Sequence, residues 1–444
     1  MAGSAAGNAL EWFDYGVYGY LTIYIGYHFF SPFSDDPGTQ RLFALFGFAI
    51  SFLLRPIGGI VLGPLGDRIG RKKVLVATIA IISISTTLIG LLPTADELGL
   101  LAPILLFTLR SVQGFSAGGE YAGAAVFMSE HAPDNRRGFY GSFLEFGTLA
   151  GFSAAAILCT TLTVVVGEDA MQEFWWRIPF LVCLPLGLLA IWMRRSLTES
   201  ETFSELDQAG RTESPLRALV DLTRNYPGQL VKLTGFVMML NVAFYLVLTY
   251  MPTYLSGSLG QSETASGMML VAIQIVMMAV IVPFGALTDR VGRRPVLLCA
   301  AIGLSVLSVP AVMLMDRGSI FLELVGIAVL GLLLVALLSN ISATLPALFP
   351  TSVRYSGFAL GYNVATAAFG GTAGLVVQWL IQRTGITIMP GIYLAGAGAI
   401  GFAAVLFFDE TAGRSLRGTQ IPGSDDETRI AAGETLIGRV NRKR

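Results

Sequence analysis

The sequence predicts an all-α membrane protein, with twelve transmembrane helices arranged as two pseudo-symmetric six-helix bundles. Three observations point there. Hydrophobic residues make up 54% of the 444 residues and charged residues only 13%, roughly half the charge of a soluble globular chain. Apolar runs of about 20 residues, enough to cross a hydrocarbon core of roughly 30 Å, recur from end to end. The loop Gly63-Pro-Leu-Gly-Asp67-Arg68-Ile-Gly70-Arg71-Lys72-Lys73 also returns 222 residues later as Gly285-Ala-Leu-Thr-Asp289-Arg290-Val-Gly292-Arg293-Arg294. Half a chain length separates the copies, as an internal duplication requires.

The runs lie near residues 9–30, 41–65, 74–92, 101–128, 138–166, 177–195, 229–255, 265–287, 295–315, 320–348, 355–382 and 388–408. Many contain Gly or Pro, which membrane helices tolerate better than soluble ones. Alternating ten-residue strands are absent from the sequence, which excludes a barrel. The first run carries Glu11 and Asp14 and leads into a polar turn, so it reads as a retained helix and not as a cleaved signal. The longest polar stretch divides the chain: residues 1–195 form an N-terminal bundle, 196–228 a linker, 229–410 a C-terminal bundle and 411–444 a polar tail. The tail has no apolar heptad, so no coiled coil is expected.

Lys and Arg placement gives the orientation. With the N-terminus inside, the inner loops and tail hold 23 of the 29 basic residues; Arg41, Arg177, Arg317 and Arg383 lie outside, and Arg55 and Arg110 are embedded. Both termini are therefore expected in the cytoplasm, in a bacterial plasma membrane. A net charge of −1 offers nucleic acid no footprint. Cys159, Cys183 and Cys299 have no metal spacing and read as core packing. No phosphate-binding loop and no His-Glu-x-x-His pattern occurs, so nucleotide-driven pumping and metal hydrolysis are unsupported.

The two copies of Gly-x-Leu-x-Asp-Arg-x-Gly-Arg-Arg/Lys resemble the signature loop of the major facilitator superfamily. Asn8-Ala-Leu-Glu11-Trp12-Phe13-Asp14-Tyr15-Gly16, Arg55-Pro-Ile-Gly58-Gly59, Gln113-Gly-Phe-Ser-Ala-Gly-Gly-Glu120-Tyr121 and Trp176-Arg-Ile-Pro-Phe180 narrow the resemblance to its metabolite:proton symporter family. The resemblance implies the major facilitator fold, alternating access, and a binding cavity lined by helices 1 and 4. It also implies a cytoplasmic gate, carried here by Asp67, Arg68, Arg71, Asp289, Arg290 and Arg293, with Arg136 and Arg354 nearby. The glycines read as tight-turn residues, and each aspartate as an acceptor for another helix's N-terminus.

A charge at mid-membrane is costly unless it faces a partner or a cavity. Glu11 and Asp14 lie three apart on helix 1. Arg110, Gln113 and Glu120 share a face of helix 4, and Glu145 sits in helix 5. Surplus carboxylates can hold a proton when closed and release it when opened to water. Asp14 or Glu11 is the expected coupling site with Arg110 as its charge partner, and Glu120 and Glu145 are further candidates. A static ion-pair cluster is the competing reading.

Substrate contacts are expected from Trp12, Tyr15, Tyr18, Arg55, Gln113 and Tyr121 in the first half and from Asn241, Tyr245, Asn340, Tyr362, Asn363 and Trp379 in the second. Few cations and many rings suit a zwitterion of the proline, glycine betaine or ectoine class, whose onium group an aromatic face attracts. An organic acid such as 2-oxoglutarate, citrate or shikimate is the alternative; a non-transporting membrane sensor or enzyme is a third class. The partners expected are a small molecule, protons and the lipid bilayer, for a monomer with no cofactor, no metal and no catalytic site.

Overall fold

The computed structural model describes residues 2–69, 71–118, 120–195, 222–350, 353–416 and 421–422, with side chains described except at 2–7, 10, 63–69, 71–73, 75, 120 and 193–195. The linker at 196–221 and the tail beyond 422 lie outside the described residues. Among the described residues every regular element is helical.

Twelve helical rods follow the twelve apolar runs. In the first half they are α1 (Ala2–Tyr20, continued by Thr22–Phe30), α2 (Pro37–Leu53 and Arg55–Ile69), α3 (Arg71–Leu91), α4 (Leu101–Ser116 and Glu120–His131), α5 (Arg137–Val166) and α6 (Ile178–Arg195). In the second half they are α7 (Pro227–Tyr245, then Met251–Gly257), α8 (Glu263–Val291), α9 (Arg293–Met315), α10 (Ile320–Leu338 and Ile341–Thr344), α11 (Arg354–Ala365, then Thr372–Thr384) and α12 (Met389–Leu406). Among the described residues, nine spans are long and apolar enough on their own to cross a membrane, while the apolar part of α3, Val76–Leu91, is shorter.

Local sequence sets several helix starts. Asp36 caps α2, accepting from Gly38 N at 3.2 Å and Thr39 N at 2.9 Å, with Pro37 at the first helical position. Ser262 caps α8 by accepting from Ala265 N at 3.1 Å. Gly292 turns the chain between α8 and α9 at φ 101°, a conformation that side-chain-bearing residues avoid. α7 and α11 are each interrupted by one π-helical stretch, Leu246–Tyr250 and Thr366–Gly370. Such stretches often mark functional positions. The Asn241 amide in α7 donates to Thr366 Oγ1 in α11 at 2.9 Å, tying the two together.

The molecule is apolar outside as well as inside, as a bilayer solvent requires. Ile60, Leu188, Val306 and Phe321 are more than half exposed on outward faces. Inside, small residues let backbones touch. A Cβ on Gly114 of α4 would lie 1.8 Å from the Ser51 carbonyl oxygen of α2, and one on Gly58 of α2 would lie 1.8 Å from that of Phe115. The halves meet along α5 against α8, α2 against α11, and α4 against α10 and α11.

The Asp36 carboxyl titrates below its ordinary range, chiefly because the Thr39 hydroxyl and amide donate to it. A folded value below the unfolded one means the cap stabilises above the unfolded value and is lost as pH falls through the folded one. Asp36→Ala should therefore cost about 1 kcal/mol near neutral pH. A thermal-unfolding series should show that deficit shrinking in acid, as pH falls through the folded value.

Candidate functional site

The first-half charges lie buried where α1, α2, α3 and α4 meet. Glu11 accepts from Arg55 Nη2 at 2.8 Å, and both side chains are at most 5% exposed. Asp14 accepts through one oxygen from the Thr86 hydroxyl of α3 and through the other from the Gln113 amide of α4. The Gln113 carbonyl oxygen in turn accepts from Arg110 Nη1. Arg110 also donates to Ser51 Oγ at 3.0 Å and to the Gly47 carbonyl at 3.3 Å, and its guanidinium lies 4.1 Å from the Tyr18 ring centre. Arg110 is thus joined to Asp14 through an amide, which polarises between them. Glu11, Asp14, Ser83 and Thr86 border a small cavity that Cys183, Leu186 and Gly187 of α6 also line.

A second, small cavity lies between the halves. Trp12, Tyr121, Glu145 and Thr148 supply one wall; Leu240, Asn241, Phe244, Leu338, Ile341 and Tyr362 supply the other. The Tyr121 hydroxyl donates to Glu145 Oε1 at 2.5 Å, and the Tyr121 ring stacks on Tyr362 at 4.6 Å. Trp12 is oriented by donating from Nε1 to Asn8 Oδ1 at 2.9 Å, while Asn8 donates to Thr148 Oγ1 and the Leu144 carbonyl on α5. α1 therefore turns acids toward one cavity and Trp12 toward another.

The halves are also sewn together at both ends. At the end carrying the Gly285–Arg294 loop, Asp289 accepts from the backbone amides of Gly138 and Phe139, both at 2.8 Å, in the first turn of α5. Arg354 donates to Glu130 across the halves at 2.9 Å, and Asn363 donates to the Gly118 carbonyl at 3.0 Å. The segment after α12 crosses beneath: Arg293 donates to Thr411 O at 3.1 Å, Arg137 to Arg414 O at 2.5 Å and Arg354 to Leu416 O at 2.8 Å. At the other end Gln274 donates to Tyr20 Oη at 2.9 Å, and Glu168 accepts from Thr264 N at 3.0 Å. The cavity between the halves is thus occluded from both sides.

Residues 2–214 match the family model described as "Sugar (and other) transporter", and residues 233–437 match "Major Facilitator Superfamily". The chain is 40% identical over 432 residues to the glycine betaine/proline/ectoine/pipecolic acid transporter OusA of Dickeya dadantii, covering 96% of this chain and 86% of that one. The proline/betaine transporter of Escherichia coli K12 is 39% identical with the same coverage. The ectoine/proline transporter ProP of Corynebacterium glutamicum is 40% identical, covering 94% and 85%. The chain belongs to the major facilitator superfamily. Among solved structures, the proton:xylose symporter XylE superposes with a TM-score of 0.70 at 18% identity, covering 94% of this chain and 96% of that one. The protein is a membrane transporter of that superfamily and not an enzyme.

Within the major facilitator fold, the sequence-selected residues separate into three groups. Trp12, Tyr121, Asn241 and Tyr362 do line the cavity between the halves, and Glu145 joins them there instead of the Asp14 cluster. Tyr15, Arg55 and Tyr245 are buried against Trp12 rather than lining that cavity. Others expected at the cavity lie elsewhere. Gln113 is spent between Asp14 and Arg110; the Tyr18 hydroxyl donates to the Ala44 carbonyl at 2.9 Å; the Asn340 amide donates to Ala336 O; Asn363 bridges the halves by donating to Gly118 O; and Trp379 is 47% exposed. Helical periodicity gives a residue's face but not which neighbour fills the space before it, so these five could not be separated by spacing. Phe244 and Thr148 were missed because an apolar ring and a threonine carry no signal in an apolar run.

Among gate candidates, Asp289, Arg293 and Arg354 are engaged, whereas Arg136 and Arg290 are exposed. The side chains of Asp67, Arg68, Arg71 and Glu120 lie outside the described residues. The motif glycines divide in role. Gly292 makes the turn, but Gly285 lies inside α8, where a Cβ would come within 2.5 Å of the Gly138 carbonyl. Gly285 and Gly138 let α5 approach closely enough for Asp289 to reach its N-terminal amides.

A carboxylate at a helix N-terminus stabilises by about 0.3–2 kcal/mol. Asp289→Ala should loosen the α5–α8 seam by that amount. With the native cysteines replaced, Ser142→Cys, buried in that seam, should react several-fold faster with a water-soluble maleimide when Asp289→Ala is added. Equal rates would remove Asp289 from the closure.

Proposed function

We propose that this chain is a proton-coupled symporter that imports a small zwitterionic solute of the proline, glycine betaine or ectoine class by alternating access. The observation that carries the reading is the occluded cavity between the halves, walled by one carboxylate and four rings: Glu145, Trp12, Tyr121, Phe244 and Tyr362. Aromatic faces attract quaternary ammonium groups by about 0.5–2 kcal/mol each. The relatives whose names specify proline, betaine and ectoine support the solute class.

Proton coupling is supported by the second group of residues. Asp14 is 3% exposed and held by a hydroxyl and an amide, with Arg110 one amide away. Such a carboxylate can exist in either protonation state without breaking the helix contacts. Because Thr86 and Gln113 come from α3 and α4, a small relative movement of these helices changes the charge balance that Asp14 feels. Glu11, held by Arg55, is the second candidate. In this reading residues 1–195 and 229–410 are the moving halves, 196–228 the linker and 411–444 a cytoplasmic tail. Asp289, Arg293, Arg354 and Glu130 form the cytoplasmic gate. Both termini lie in the cytoplasm of a bacterial cell, and the monomer is the working unit.

Reconstituted vesicles provide the test. An inwardly directed proton gradient should drive accumulation of labelled proline or glycine betaine, and a protonophore should abolish it. Asp14→Asn should remove accumulation while leaving exchange of substrate across the membrane measurable. Accumulation of 2-oxoglutarate, citrate or shikimate in preference to any zwitterion would overturn the solute class. Undiminished accumulation by both Asp14→Asn and Glu11→Gln would overturn the coupling site.

A further inference from the structure

We infer that the cavity reads the two ends of its zwitterion with two incomplete sets of buried side chains: Arg55, Tyr15 and Tyr245 take the carboxylate, and Glu145 with its aromatic walls takes the onium group. This rests on the zwitterion reading above and adds the direction in which the solute lies.

The first set is a group of donors without an acceptor. Arg55 Nε, Tyr15 Oη and Tyr245 Oη are buried and have no hydrogen-bond partner, and the three residues are 1%, 0% and 2% exposed. The Arg55 guanidinium spends Nη2 on Glu11 and is flanked by the rings of Tyr15 at 4.8 Å, Phe52 at 4.9 Å and Trp12 at 5.7 Å. Tyr245 packs on the same Phe52 ring at 4.9 Å and on Trp12 at 6.4 Å. Buried donors left unmatched are destabilising, and an N–H and phenol groups are complemented by a carboxylate, which offers several lone pairs.

The second set is an acceptor without a cation. Glu145 is 1% exposed, is held by the Tyr121 hydroxyl, and forms no ion pair among the described residues. Tyr121, Tyr362 and Trp12 stand around it. A buried carboxylate walled by rings is the complement of an onium group that has no N–H to donate. Trp12 belongs to both sets: it faces the cavity and touches the Arg55 guanidinium. Trp12 thus links the two sets, and a zwitterion bound beside it would offer its carboxylate to the unmatched donors and its onium group to Glu145.

Matched ligands separate the ends. Glycine betaine carries both groups; 3,3-dimethylbutyrate keeps the carboxylate and replaces the onium with an uncharged isostere; choline keeps the onium and lacks the carboxylate. Proline, pyrrolidine and cyclopentanecarboxylate make the equivalent series if proline binds more tightly. Dissociation constants would be measured by competition against the labelled zwitterion on the purified, full-length chain. Tyr245→Phe and Tyr15→Phe remove only a hydroxyl each. They should weaken the zwitterion and the carboxylate ligand by about tenfold, as for loss of a hydrogen bond to a charged group, and leave the onium ligand unchanged. Glu145→Gln should do the reverse, weakening the zwitterion and the onium ligand and sparing the carboxylate ligand. Equal effects on both single-ended ligands, no effect of the double Tyr→Phe variant, or failure of both single-ended ligands to compete at large excess would overturn the assignment. Absence of zwitterion binding by the wild type would instead overturn the functional reading on which it rests.

Discussion

Ionised groups withdrawn from water into a bundle of helices must find partners, and that constraint organises the first half of this molecule. Glu11, Asp14, Arg55 and Arg110 all lie at or below 6% exposure. An isolated charge at that depth costs at least about 2.5 kcal/mol. The pairs Glu11–Arg55 and Asp14–Gln113–Arg110 answer the cost, and in doing so fix how α1, α2 and α4 sit against each other. The guanidinium faces that remain are covered by rings: Tyr18 and Phe48 over Arg110, Tyr15 and Phe52 over Arg55. Charge pairing and aromatic packing are therefore one structure here, and displacing any member exposes another.

Those pairings need short interhelical distances, which glycine provides. The backbones of α2 and α4 touch at Gly58 and Gly114, bringing Arg55 and Gln113 into range of α1. The same device recurs at the seam between the halves, where Gly138 meets Gly285 and Asp289 reaches the first amides of α5. The two uses differ in consequence. Inside a half, the contact holds a charge network in place. Between halves, it holds two bodies together through hydrogen bonds that a separation of a few ångströms would break.

Part of this is legible in the sequence alone. Twelve apolar runs, the duplicated loop and the basic bias of its side of the chain are properties of composition and order, so the helix count and the halves could be read directly. Asp289 at the end of a helix pointed to another helix's N-terminus because the chemistry of the acceptor is general. The residues Trp12, Tyr121, Asn241 and Tyr362 were also recognisable as polar or aromatic members of apolar runs. Trp379 shows the limit of that reasoning: the same residue type in the same kind of run faces outward.

The sequence by itself determined the class of the molecule, because hydrophobic length and charge bias act along the chain and need no knowledge of neighbours. It also supplied the chemical inventory of the site. Only the tertiary structure decided how that inventory is shared out. Glu145 stands apart from Asp14 because α5 presents it to the seam between halves, while α1 turns Asp14 toward α3 and α4. Glycines that looked like turn residues became contact points because α5 and α8 cross there. Partner choice among buried polar groups depends on distances of a few tenths of an ångström between elements far apart in sequence, and no periodicity along one helix encodes them.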